Sequence, residues 1–189
     1  MIVPRYYEDL EILHENTMPA RAYYIPASVR MDDLVEHREH SDRILFLNGM
    51  WKFKYFESIY DVTEEFYKVG FDSFDYDETI VPGVWQMQGY DYHQYTNVKY
   101  PFPFDPPYVP QDNPCGAYIY NFRYKRDENA NKAFLNFEGV DSCFFISHLC
   151  TYTIIPNTFL GSVNNIHISK NTTHTEFILI LQIRTIAPF

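Results

Sequence analysis

Positive charge is scarce in this chain: 15 Lys and Arg stand against 25 Asp and Glu in 189 residues, a formal net charge of -10. Phosphate backbones and anionic lipid surfaces need a basic face, so neither nucleic acid nor membrane is expected as a partner. Cysteine is scarce as well. Cys115, Cys143 and Cys150 are an odd number without C-x-x-C spacing, which suggests neither a disulfide framework nor a zinc site and fits reduced thiols. Long apolar runs are missing, with nothing near the ~20 residues of a membrane span. The opening stretch, MIVPRYYEDLEILHENT, is charged from Arg5 onward and holds no signal-peptide core. The expectation is a soluble, cytoplasmic protein.

What the chain has is aromatic side chains, 19% of all residues. Tyr, Phe and β-branched residues suit a pleated surface, so an all-β body is expected. A length of 189 residues allows one domain with a proper core, or one domain and a piece of another. Proline is unevenly placed: Pro82, Pro101, Pro103, Pro106, Pro107, Pro110 and Pro114 crowd the stretch from Val81 to Tyr118. No helix or long strand tolerates that density, so the stretch reads as an irregular, aromatic-lined loop. Proline reduces the entropy such a loop loses on ordering, and flat rings with amide side chains suit a sugar. Asn97, in YTNVKYP, is the amide at its centre.

The pieces VPGVWQMQGYD (81–91), YTNVKYPFPFDPPYVP (95–110) and NPCGAY (113–118), with PARAYYIP and LNGMWKF upstream, resemble β-galactosidases of glycoside hydrolase family two. The resemblance implies an amino-terminal jelly-roll, a galactose-binding-like β-sandwich, here incomplete at its C-terminal strands. Residues 1–42 would be an extended arm, 43–146 the sandwich core carrying the 81–118 loop, and 147–189 an atypical tail. By the same resemblance Asn97 reaches into the active site of a following barrel and hydrogen-bonds galactose, with Val98 lining the pocket edge. A primary amide both donates and accepts, which suits a hydroxyl. The alternative for Asn97 is a turn residue whose amide caps its own loop. Magnesium and sodium are expected for the full-length enzyme, and no cofactor in this chain. The implied partners are a β-galactoside such as lactose, the remaining domains of the enzyme and further copies in a homo-oligomer.

A retaining glycosidase needs two carboxyl groups about 5 to 5.5 Å apart on rigid elements. The resemblance puts that pair on the barrel, so this chain supplies no catalytic residue and is expected to be inactive alone. Glu64 and Glu65 are adjacent and point apart, which disqualifies them as a facing pair. Two other functions stay open: a freestanding carbohydrate-binding β-sandwich, and a fragment without function of its own.

In chain order, Pro4, Pro19 and Pro26 break any periodicity in residues 1–30. His37-x-x-His40 in MDDLVEHREHSD would put two imidazoles on one face of a helix, but the charged setting reads as a solvated turn with no third ligand indicated. RILFLNGMWKFKYFE (43–57) predicts a tight turn at Asn48-Gly49 and a half-buried strand with Trp51 inward. Residues 58–77 read as a short helical turn and a loop, followed by a strand over 79–81. AYIYNFRYK (117–125) and KAFLNFE (132–138) predict a hairpin, and CFFIS a further strand. Beyond it, all but Glu176 of the 25 acidic residues have been spent by Asp141. The tail reads either as divergent closing strands, FILILQI among them, or as an out-of-frame translation.

Overall fold

The computed structural model describes residues 4–19, 22–63, 65–68, 70–93, 105–123, 129, 133–140, 143–148, 151–155, 164–168 and 175–183, the last three ranges by their backbone pairing. Among the described residues eight strands carry the fold: β1 (Gly49–Phe56), β2 (Asp77–Val81), β3 (Cys115–Arg123), β4 (Ala133–Phe137), β5 (Cys143–His148), β6 (Thr151–Ile155), β7 (Asn164–Ile168) and β8 (Thr175–Ile183). Six form an antiparallel sheet in the order β2-β1-β3-β8-β5-β6, and β4 pairs with β7 in a second, two-stranded sheet. Among the described residues the only helices are short 3-10 turns. The all-β body expected from composition is present, and so is the β-sandwich that the resemblance implied.

Strand alternation explains why β3 and β5 of the large sheet are buried on both faces. Trp51, Phe53, Tyr118, Phe122, Phe144 and Ile146 form one cluster, closed by Leu135 of β4 and by Trp85. Phe137 of β4 packs on Phe144 with ring centroids 5.4 Å apart. The residues between them, Phe56, Cys115, Ala117, Ile119, Cys143 and Phe145, face the other way. That second face is covered by Ile59, Val62 and Phe66 from the segment after β1. Tyr7, in a 3-10 turn over Arg5–Glu8, joins the same cluster, so the N-terminal arm supplies a core side chain. Trp51 is core, and its indole Nε1 donates to Leu47 O at 2.8 Å.

Two local expectations are corrected. Asn48-Gly49 is not the turn of a hairpin: residues 44–48 enter no ladder, and β1 starts at Gly49, whose φ is 136°. β3 and β4 do not form a hairpin either, because β3 pairs with β1 and β8 while β4 belongs to the second sheet. Consecutive strands change layer here: β3 is buried on both faces, and β4 shows the half-buried pattern of a covering strand.

The segment expected as an atypical tail contributes β6, β7 and β8. β8 lies between β3 and β5, with Ile183 opposite both Cys115 and Cys143. An apolar run such as FILILQI suits a strand with neighbours on both sides. The two cysteines therefore stand two strand spacings apart, about 9.5 Å, beyond the reach of a disulfide, and neither forms one.

Candidate functional site

The proline-rich stretch leaves the sheet at the end of β2 and returns at the start of β3, and both roots are fixed. At the first, a 3-10 turn over Trp85–Gln88 ends at Gly89, which sits at φ 93° in the left-handed region that glycine tolerates best. Gln88 turns back onto β2: its Oε1 accepts from Ile80 N at 3.0 Å and from the Thr79 hydroxyl, and its Nε2 donates to Ile80 O at 3.3 Å. Trp85 lies over Gly116 of β3, where a Cβ would come within 2.6 Å of Phe53 and 3.0 Å of Trp85. Tyr90 donates its hydroxyl to Asp77 at 2.7 Å. Burial, then the Asp77 carboxylate, pushes its pKa up to about 12.

The second root is tied to other parts of the chain. Ile59 N donates to Asn113 O at 3.0 Å, Ser58 Oγ donates to Gln111 O, and Val109 N reaches Glu8 at 3.5 Å. Asn113 is 2% exposed, and its side-chain amide has no hydrogen-bond partner among the described residues. Two cis peptide bonds, Val81-Pro82 and Pro106-Pro107, lie in the same stretch. Its middle, residues 94–104, lies outside the described residues, and with it Asn97 and Val98.

The other candidates from the sequence separate cleanly. Cys115 is fully buried, and burial first, with Asp61 second, raises its thiol pKa, so it stays protonated and unreactive. Glu65 is bound to Lys68 and accepts from Tyr67 at 3.2 Å, an exposed ion-paired group, while Glu64 lies outside the described residues.

His37 and His40 lie beside a carboxylate, Glu39. Among the described residues, His37, Glu39 and His40 form the group whose ligand atoms come within 4.8 Å of one another. Glu39 was invisible as a ligand because it lies between the two histidines in sequence, where a helix would turn it away. Two imidazoles and one carboxylate do not fit the all-oxygen shell that magnesium or sodium takes.

Comparison with known proteins places this geometry. Residues 44–153 match the family described as glycosyl hydrolases family 2, sugar binding domain. The chain is 43% identical over 146 residues to a protein from Actinobacillus pleuropneumoniae named beta-galactosidase, covering 77% of this chain and 14% of that one. It is 41% identical over 162 residues to a beta-galactosidase from Staphylococcus xylosus, covering 85% and 15%. A beta-galactosidase from Pectobacterium atrosepticum is 44% identical over 109 residues. The chain thus spans about one seventh of the length of the relatives it matches over most of its own.

Proposed function

Because the chain belongs to the sugar-binding domain family of the family 2 glycosyl hydrolases, we propose that it works as the amino-terminal domain of a β-galactosidase. In that role it supports a catalytic barrel and lends Asn97 to the sugar site. The observation that carries the reading is identity of 41–43% over most of this chain to proteins named beta-galactosidase. Anchored roots add a physical reason: Gln88, Trp85 and Tyr90 at one end and Asn113 at the other fix where the loop leaves the sheet, which lowers the cost of presenting it to a ligand.

The division of labour follows from the chemistry. Cleavage with retention requires a facing carboxyl pair, which on this reading is held on the barrel with its magnesium and sodium. The sandwich contributes orientation. Asn97 donates to one galactose hydroxyl or accepts from it, Val98 closes the pocket edge, and the partners are a β-galactoside such as lactose, the remaining domains and further subunits in a cytoplasmic homo-oligomer.

The test is complementation. Purified remainder of a related β-galactosidase, lacking its own first domain, is mixed with this chain and assayed for lactose cleavage. Restored cleavage supports the reading; no cleavage with soluble, folded chain, or tight galactose binding by the chain alone, defeats it.

A further inference from the structure

Residues 33–40 form a compact turn: His37 N donates to Asp33 O at 2.8 Å and His40 N to His37 O at 3.0 Å. The turn stacks the rings of His37 and His40, with centroids 5.0 Å apart and planes 20° from parallel. Each ring is paired with a carboxylate. His37 Nδ1 lies 3.2 Å from Glu39 Oε1, and His40 Nδ1 lies 2.7 Å from Asp33 Oδ2.

From this arrangement we propose that His37, Glu39 and His40 bind a divalent transition ion of the zinc class, with Asp33 as the residue that orients His40. Three features carry it. First, ligand atoms from the three residues already lie within 4.8 Å of one another. Bonds of ~2.0–2.1 Å around tetrahedral zinc put neighbouring ligand atoms about 3.3 Å apart, close to the 3.2 Å between His37 Nδ1 and Glu39. The remaining step is a side-chain rotation that unstacks the two rings so that each holds the ion in its own plane, which exposed groups make readily. Second, a His40 that gives its Nδ1 hydrogen to Asp33 keeps the Nε2 lone pair for a metal, the carboxylate–histidine arrangement that fixes tautomer and ring orientation in metal sites.

Third, the charge is right. Two carboxylates flank two imidazoles, and Arg38, the cation inside the motif, is drawn away to Tyr23 at 3.1 Å and to Glu138. Its guanidinium rests over the Phe46 ring, 5.3 Å from the centroid. Nitrogen-rich ligation selects zinc, nickel or copper over magnesium and calcium. Three protein ligands leave one coordination position for water. Binding would fasten a turn that Arg38 already ties to the sandwich.

The experiment is zinc titration of the full chain by calorimetry, with metal content measured after dialysis. One equivalent of zinc is expected, unaffected by excess magnesium. H37A/H40A should lose it, E39Q and D33N should each weaken it about tenfold or more, and H14A should leave it unchanged. Cobalt substitution gives an independent readout: visible bands from nitrogen and oxygen ligands without thiolate charge transfer. Because all four side chains are exposed, near-ultraviolet circular dichroism should match the parent. Absence of a stoichiometric site, equal binding by H37A/H40A, or a thiolate band would overturn the proposal.

Discussion

Gln88 pairs with Ile80 as a neighbouring strand would, accepting from its N–H at 3.0 Å and donating to its C=O at 3.3 Å. β2 is the outer strand of the large sheet, so without Gln88 these two backbone groups would face open edge. Each hydrogen bond contributes about 0.5–1.5 kcal/mol net. Gln88→Ala is therefore expected to cost about 1–2 kcal/mol in denaturant unfolding. Gln88→Glu should cost at least as much, because a carboxylate accepts from the N–H and the Thr79 hydroxyl but cannot donate to the carbonyl. A neutral result for both would mean that the edge needs no such partner.

Gly116 is required by its neighbours rather than by its own φ. An added Cβ would meet Phe53 at 2.6 Å and Trp85 at 3.0 Å, both core rings. Overpacking of a close-packed core costs about 1–3 kcal/mol, and Gly116→Ala is expected to fall in that range by thermal unfolding. Gly139, where a Cβ meets nothing within 4 Å, is the control. Gly139→Ala should be neutral or slightly stabilising.

Tyr90 titrates at about 12 instead of 10.0, through burial first and then its hydrogen bond to Asp77. A raised folded pKa means that the contribution is complete below the unfolded value and disappears as pH rises through the folded one. The Tyr90–Asp77 link should hold at neutral pH and fail between pH 10 and about 12. Ring-labelled tyrosine NMR follows this residue directly. Asp77→Asn should bring the Tyr90 pKa only part of the way down, since burial remains, and Tyr90→Phe should reduce the alkaline stability loss over that window without abolishing it, because buried Tyr7 is also raised to about 12.

In the complementation assay, the chain alone should cleave no lactose, and Asn97→Ala should lower kcat/KM of the reconstituted enzyme about tenfold or more, the worth of one well-made hydrogen bond to a sugar. Assembly, followed by size-exclusion chromatography, should be unchanged. A variant as active as the parent would return Asn97 to the role of a residue that caps its own loop.

Much of the sheet was readable because alternation is local. Trp51, Phe53 and Tyr55 against Lys52 and Lys54 mark β1, and CFFIS marks β5. Pairing was not readable, since it joins distant segments. Nothing near Cys115 signals that β8, some sixty residues later, will lie beside it. Tyr7 gave no periodic signal because it enters the core alone, from a 3-10 turn. Likewise no periodicity announced that Glu39 would lie within 3.2 Å of His37. The resemblance pointed to the loop through its motifs, while the contacts that hold its roots, Gln88 to Ile80 and Trp85 over Gly116, are visible only in three dimensions.

β8 offers the strongest test of the tail. It pairs with β3 through Cys115 to Arg123 and with β5 through Cys143 to His148, so most of its N–H groups are committed to one neighbour or the other. Proline at its centre removes a donor and leaves a carbonyl facing no partner, which central strands do not tolerate. Ile180, opposite both Tyr118 and Ile146, is the position of choice. Ile180→Pro should abolish soluble expression or lower the melting temperature by many degrees, whereas Ile180→Val, which keeps the N–H, should be tolerated. If Ile180→Pro behaved like the parent, β3 and β5 would have to be held by something other than the strand between them, and the tail would be an appendage to the sheet instead of its interior.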